Sequence, residues 1–457
     1  MSVSNPLGKA PINTLFFKYY IPALTGILSS TLHQLINGVI LGQQVGKEGL
    51  AAVGLYGPVT IVFIALTLPI MTGGGILIGK NSGATRYDKV QQIFEFGTTL
   101  ALVAGGCVAI LTPFLTTTIA TFLTGAENTV LLNNTSHYIF WQLLAMPFFF
   151  LRMIWSNFIS NDNAPQISRN ASLLAVSLNI VLDLFFIAVL HMGVEGASIA
   201  TAISMVAAVA YQFTYIWKQK GHFRFHGFRF TLQLTEWREL VHLGTPSFAS
   251  EISFSSGLLL ISHYIVPYGP LAVSAFGLVN YISFLFIRLF TAAMIASLPI
   301  LSFNIGARLP HRVLETFRFS LLFTIILGNA IVALGWIVPD FLIDIFSSNS
   351  TISFKKIASQ AIALYFLLFF AAGPNYILSA YLQSIGKSII STLINVLKGV
   401  VFIALFILLL PEHFGMGLEG IWLSRSLAEI LTLLLIGLYT LWNKETYYTE
   451  KSIMIQG

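Results

Sequence analysis

The chain has 457 residues, of which 56% are hydrophobic and only 9% are charged, and its net charge is +6. About a quarter of the residues in a soluble globular protein are charged, so this composition excludes that class. The single cysteine, Cys107, also excludes a disulfide framework and a cysteine-rich metal site.

Apolar stretches recur along the whole chain, each with the ~20 residues that a helix needs to cross a bilayer core. The alternating pattern typical of a membrane β-barrel is missing, so helices are the expected spanning structure. The polar N-terminus lacks a signal-peptide pattern, and the first apolar run is expected to remain as a membrane helix. The sequence therefore predicts an all-α membrane protein with twelve transmembrane helices. The twelve apolar segments cover 15–41, 54–79, 93–117, 133–158, 167–190, 196–217, 240–265, 272–303, 314–338, 358–384, 388–410 and 418–443.

The positive charges are distributed unevenly over the predicted loops. Of the 24 Lys and Arg residues, 17 fall at the termini and in the even-numbered loops, and three fall in the opposite loops. Cytoplasmic loops carry the excess of Lys and Arg, so both termini are predicted to be cytoplasmic. The basic excess is therefore a topological signal, and nucleic-acid binding is not expected. The other four cations, Arg152, Arg288, Lys398 and Arg425, fall inside the segments.

The two halves of the chain resemble each other. At an offset of 223 residues Gly46 matches Gly269, and at an offset of 224 the motif at 192–196 (MGVEG) matches 416–420 (MGLEG). Further matches at the first offset are Gly54 with Gly277, Asn81 with Asn304 and Gly83 with Gly306. These coincidences predict a duplicated unit of six helices. Because six is even, both copies enter the membrane from the same side, an arrangement in which transporter substrate sites tend to lie between the repeats.

The longest polar connection, residues 218–239, lies between the two copies. The predicted domains are an N-lobe over 1–217, a cytoplasmic linker over 218–239 and a C-lobe over 240–457.

A carboxylate, Asp183, lies inside the fifth apolar segment with no lysine or arginine beside it. Asn179 is one helical turn earlier, and Thr201 is expected at a similar depth on the next helix. Asn37, near the outer end of the first segment, is expected at that depth as well. A buried ionisable residue in a membrane helix is by default a hypothesis about ion handling. These four side chains are predicted to bind a proton on Asp183 or a Na⁺ ion; the structural alternative is a carboxylate that only joins helices.

Several stretches resemble the multidrug and toxic compound extrusion (MATE) antiporters, in the prokaryotic branch similar to the DNA-damage-inducible F protein. The resemblance is carried by residues 179–183 (NIVLD), 192–201 (MGVEGASIAT), 41–55, 298–307 (LPILSFNIGA) and 418–422 (LEGIW). It covers about 15–443 with the motifs in order.

The resemblance implies two six-helix lobes around a central cleft and a cation-coupled antiporter, not an enzyme, of a bacterial inner membrane. It implies export of amphipathic organic cations in exchange for H⁺ or Na⁺, with no other cofactor. The expected partners are a small molecule and the lipid bilayer, and the expected state is a monomer. The alternative is a flippase or exporter of a lipid-linked or polar metabolite, and an ion channel or membrane enzyme is less expected.

Two positions depart from the family pattern. Asn37 stands where the family usually has an aspartate, and 160–163 (SNDN) stands where it usually has Arg-Asn-Asp-Gly. An amide cannot take up a proton, so Asp183 is expected to work as the sole carboxylate of an N-lobe site. Tyr138 resembles a tyrosine that lines the same pocket in relatives; the alternative is simple packing.

The C-lobe segments contain charges of both signs. Glu251, Arg288 and Lys398 are expected near mid-membrane and are candidates for coupling or substrate binding, with Glu251 next to Lys398. The alternative is mutual ion pairing that fixes the helices, which is the preferred interpretation for Arg425 and Glu429 because they are four residues apart on one helix.

Overall fold

The structure is a computed structural model, and it describes residues 5–125, 128–230, 233–346 and 351–449. Within these ranges the chain is almost entirely helical. The apolar runs form helices because a bilayer core provides no partners for backbone N–H and C=O groups, which a helix satisfies internally.

The first half contains eight α-helices, in the order of the chain. They are α1 (Ile12–Gln44), α2 (Lys47–Leu68), α3 (Gly74–Gly83), α4 (Tyr87–Thr124), α5 (Thr129–Leu144), α6 (Met146–Asn161), α7 (Pro165–Asp183) and α8 (Gly193–Trp217).

The second half contains ten. They are α9 (Leu234–Ile265), α10 (Pro270–Gly306), α11 (Pro310–Ile337), α12 (Pro339–Phe346), α13 (Ile352–Tyr365), α14 (Phe369–Ser384), α15 (Ser388–Val396), α16 (Phe402–Leu408), α17 (Gly417–Trp442) and α18 (Lys444–Tyr447).

Each of the twelve predicted segments coincides with one helix or with a run of joined helices. Among the described residues, ten such stretches are long and apolar enough to cross a membrane, and the pair α5 and α6, bent by 52°, makes an eleventh. The remaining predicted segment is α9, a more polar helix that carries Glu236, Arg238, Glu239 and Glu251. The all-α membrane architecture is confirmed, and the twelfth segment is a helix of lower apolarity than the others.

The residues divide into two compact units, Ile21–Val241 and a second unit formed by Met1–Tyr20 with His242–Gly457. The first turns of α1 thus belong to the second unit. There Arg312 donates hydrogen bonds to the backbone carbonyls of Leu7 and Ala10, at 3.1 and 2.7 Å.

The predicted linker is partly ordered against the first unit. The Arg224 N–H donates to Gln91 Oε1 at 2.9 Å, and the Phe223 ring stacks on Phe94 with centroids 4.5 Å apart. Asp162 accepts from the His222 backbone N–H at 2.9 Å and from its ring at 2.6 Å. Helix α9 starts at Leu234, inside the range expected to be linker, so the non-helical connection is shorter than the polar composition suggested.

The repeat is visible in matched contacts. Glu195 in the first turn of α8 accepts a hydrogen bond from His137 on α5 at 3.1 Å. Glu419 in the first turn of α17 accepts one from Gln360 on α13. Gln360 lies 223 residues after His137, so the same helix pair is joined by the same type of contact in both halves.

Several membrane helices contain π-helical turns, which recur at functional sites in other proteins. One covers Leu184–Val189 directly after Asp183, and another covers Leu397–Val401 and contains Lys398. A third, Leu409–His413, occupies the position that corresponds in the repeat to Leu184–Val189. The two charged residues singled out in the apolar sequence are thus beside or within local departures from α-helix.

Candidate functional site

Asp183 is the last residue of α7, directly before the π-helical turn. It is fully buried, and Asn179, one turn earlier, is only 2% exposed. The backbone turns so that both side chains enter the first unit, as their four-residue spacing predicted.

Asn179 joins three helices through its side chain. The His33 Nε2–H on α1 donates to Asn179 Oδ1, since a carbonyl oxygen can only accept. Asn179 Nδ2 in turn donates to Thr201 Oγ1 on α8 at 3.2 Å, and the Thr201 hydroxyl donates to the Ala197 carbonyl at 3.0 Å. The predicted proximity of Asn179 and Thr201 is therefore observed, with His33 as an additional partner.

Tyr138 on α5 lies close enough to Asp183 for the two groups to interact electrostatically. Its ring meets that of Tyr56 on α2 edge to face, with centroids 5.6 Å apart. Asn37 is buried, and its Oδ1 has no hydrogen-bond partner among the described residues. Because Asn37 is one turn after His33, both side chains occupy one face of α1.

The hydrogen bonds bear on what the site can hold. Asn179 Oδ1 and Thr201 Oγ1 are two of the four oxygen groups predicted to surround Na⁺, and both already take part in hydrogen bonds. A Na⁺ ion would have to compete with these bonds, whereas a proton needs only one carboxylate oxygen of Asp183.

A cation of α6 lies near this group of residues. The Arg152 guanidinium interacts electrostatically with the His33 ring. It makes no hydrogen bond or ion pair with its side chain in the described part of the chain. The N-lobe site therefore has a basic flank, reached through His33 and not through Asp183.

The C-lobe contains a second buried polar cluster. Lys398, Arg425 and Glu429 are 6%, 5% and 5% exposed. Lys398 Nζ lies 3.5 Å from Glu429 Oε1 and over the Tyr376 ring, 3.9 Å from its centroid. Asn375 Nδ2 donates to Glu429 Oε2 at 2.7 Å.

Two pairings expected from the sequence are wrong. Lys398 pairs with Glu429 and not with Glu251, whose electrostatic partner is Arg288. Arg425 does not pair with Glu429 within 4 Å despite their spacing; it donates to the Tyr365 hydroxyl at 2.9 Å. The reason is that Lys398 and Asn375 approach Glu429 from α14 and the π-helical turn, and occupy both of its oxygens.

A close helix contact holds Lys398 in place. A Cβ on Gly257 of α9 would lie 2.0 Å from the Gly399 carbonyl oxygen, and a Cβ on Gly399 would lie 2.5 Å from Ser253 Cβ. Only glycine permits this approach, which brings the turn that contains Lys398 against α9.

Sequence reasoning missed His33, Asn375 and the π-helical turns. The four-residue spacing of His33 and Asn37 was a usable signal for His33. Asn375 follows Pro374 in an apolar segment and had no such signal, because its partner Glu429 is 54 residues away in the chain.

Curated relatives match nearly the full chain. Multidrug export protein MepA of Staphylococcus saprophyticus is 26% identical over 455 residues, which cover 96% of this chain and 96% of the relative. MepA of Staphylococcus haemolyticus is 24% identical, with 96% and 95% covered. Probable multidrug resistance protein YoeA of Bacillus subtilis is 23% identical, with 93% of each covered.

Solved transporter structures have the same fold. A structure described as MATE in the bent conformation superposes with a TM-score of 0.88 at 21% identity, covering 97% of this chain and 98% of the other. A MOP superfamily transporter from Pyrococcus furiosus, reported with a binding pocket of reverse polarity, also gives a TM-score of 0.88, at 20% identity and with the same coverage.

The MatE sequence profile matches the chain twice, over residues 22–185 and 246–408. The two matches begin 224 residues apart, which agrees with the offset of the internal repeat. Together they cover well over half of the chain, and the chain therefore belongs to the MatE family.

Proposed function

We propose that the chain is a cation-coupled multidrug efflux antiporter that exports amphipathic organic cations in exchange for H⁺ or Na⁺. Membership in the MatE family already identifies a membrane transporter and not an enzyme. The names of the curated relatives support the multidrug substrate class.

The observation that carries the coupling proposal is Asp183, a fully buried carboxylate at the end of a membrane helix. An isolated charged carboxylate in such surroundings is costly, so it favours either protonation or a bound cation. Releasing that cation to one side and rebinding it from the other can drive export of a cationic substrate. Asp183 is the only carboxylate of the predicted set, so one monovalent ion is expected per cycle.

Of the two coupling ions, H⁺ is favoured. Two of the predicted Na⁺ ligands, Asn179 and Thr201, already hydrogen-bond to each other, and Asn179 also accepts from His33. Asn37 replaces the family's second carboxylate with a neutral amide, which weakens the attraction for a metal cation.

The proposed location is a bacterial cytoplasmic (inner) membrane, with both termini in the cytoplasm and the protein acting as a monomer. The excess of 17 Lys and Arg over three on the two sides of the segments supports that orientation.

The proposal is tested by reconstituting the purified protein in liposomes and following ethidium transport under an imposed pH or Na⁺ gradient. We expect transport driven by the pH gradient and abolished by a protonophore. Transport driven equally well without either gradient would contradict coupling, and transport driven only by Na⁺ would reassign the ion.

The predicted C-lobe roles of Glu251, Arg288 and Lys398 in coupling or substrate binding stay predictions. Glu251→Gln in the same assay separates them: unchanged coupling would remove Glu251 from the ion pathway.

A further inference from the structure

A small cavity lies among the charged residues of the C-lobe. Lys398, Arg425 and Glu429 line it, together with Ser250, Asn395 and Tyr376. The volume open to the centre of a water molecule is about 20 Å³, enough for a water or an ion of similar size. All of these residues belong to the unit that contains His242–Gly457.

The cavity lining carries one positive charge in excess. Lys398 and Arg425 are cations and Glu429 is the only carboxylate. Just outside the lining, Arg288 and Glu251 balance each other and leave this excess unchanged.

The two cations also have unused hydrogen-bonding capacity. Arg425 has five N–H donors, and its one hydrogen bond in the described structure goes to a neutral phenol, Tyr365. Lys398 Nζ is 3.5 Å from Glu429, beyond the usual 2.7–3.2 Å range, and its other contact is the Tyr376 ring. Both side chains are more than nine-tenths buried. Such donors are strongly favoured to have a charged partner.

We propose that this C-lobe cavity is a binding site for a small monovalent anion, held by Lys398 and Arg425. The ligand class is a halide or a single carboxylate group, because both are compact and carry the one negative charge that the lining lacks. Larger dianions such as sulfate exceed the charge and the volume available. The site is independent of Asp183 and goes beyond the proposed cation coupling.

The charge balance makes opposite predictions for two variants. Arg425→Gln removes the excess positive charge and should abolish anion binding. Glu429→Gln removes the only carboxylate of the lining and should tighten binding about tenfold or more, the effect expected for a close charge pair. The exposed residue Arg318 on α11 provides a matched control, Arg318→Gln.

The experiment measures the thermal unfolding midpoint of the purified full chain while chloride replaces gluconate at constant ionic strength. We expect a saturable rise for wild type and for Arg318→Gln, a rise at lower chloride for Glu429→Gln, and no rise for Arg425→Gln. A midpoint in wild type that does not depend on chloride, or a Glu429→Gln variant that binds more weakly, would overturn the proposal.

A second titration identifies the ligand class and covers the case in which Arg425→Gln does not fold. Acetate is compared with its neutral isostere acetamide on wild type and Glu429→Gln. A rise with acetate but not acetamide supports a carboxylate subsite, and a rise with chloride alone supports a halide site. Equal responses to acetate and acetamide, together with no response to chloride, would contradict an anion site.

Discussion

At the residue scale, the N-lobe site depends on a chain of hydrogen bonds that passes through Asn179. His33 and Thr201 hold the two ends of its amide, which fixes the amide one turn from Asp183. Asp183, Asn179 and Thr201 were predictable because helical spacing and hairpin depth place them together. His33 was not predicted, since a histidine on an apolar helix shows its partner only when the helices are packed.

The contribution of His33 can be tested with two substitutions. His33→Leu removes the donor to Asn179 Oδ1, and a lost buried hydrogen bond costs about 1–3 kcal/mol. We expect the affinity for the coupling ion to fall about tenfold, measured as the proton concentration that gives half-maximal ethidium transport. His33→Gln keeps an N–H donor and should stay close to wild type. Equal behaviour of the two variants would remove this hydrogen bond from the coupling mechanism.

The pair between Lys398 and Glu429 makes a residue-scale prediction about stability. Lys398→Met leaves a buried carboxylate without its cation, which costs about 3–5 kcal/mol for such pairs. The double variant Lys398→Met with Glu429→Gln removes both charges and should recover most of that loss. Thermal unfolding in detergent measures both, and a double variant no more stable than the single one would show that the pair contributes little.

At the element scale, close backbone packing and π-helical turns place the charged residues. Glycines at the contact between α9 and the turn Leu397–Val401 were visible in the sequence, but their partners were not. The π-helical turns had no sequence signal, because they depend on how neighbouring helices crowd a continuous apolar run.

Helix packing at Gly257 can be compared with a glycine that has free space. Gly257→Ala places a Cβ 2.0 Å from the Gly399 carbonyl oxygen, and overpacking of this kind costs about 1–3 kcal/mol or more. Gly277→Ala meets nothing within 4 Å and gains up to about 1 kcal/mol of helix propensity. We expect a lower unfolding midpoint for the first variant and an equal or higher one for the second. The reverse order would contradict the observed contact.

The connection after α8 makes a prediction about proteolysis. Phe223 is 1% exposed and stacks on Phe94, whereas Phe228 is 56% exposed. Phe223→Ala removes about 3–5 kcal/mol of packing and should release the segment, so that trypsin cleaves at Arg224 and Arg229 about tenfold faster or more. Phe228→Ala is the matched control and should be cleaved at the wild-type rate. A Phe223→Ala variant as resistant as wild type would mean that the polar contacts alone hold the segment.

At the scale of the whole molecule, the all-α membrane architecture and the duplication were predictable. Both depend on patterns that repeat along the chain: apolar length, the side on which Lys and Arg fall, and an offset of 223–224 residues. The pairing of C-lobe charges was not predictable, because helical spacing describes neighbours on one helix and cannot choose among residues on different helices. Arg425 and Glu429 show this difference, since each prefers a partner on another helix.

The central claim is that Asp183 carries the coupling ion. It is tested most directly by ethidium efflux from everted vesicles or proteoliposomes under an imposed pH gradient, comparing wild type with Asp183→Asn. Asp344→Asn, a surface carboxylate with a side chain 44% exposed, is the matched control. We expect gradient-driven efflux to fall to the level of protein-free vesicles in Asp183→Asn and to stay at the wild-type rate in Asp344→Asn. Undiminished gradient-driven efflux by Asp183→Asn would contradict the account.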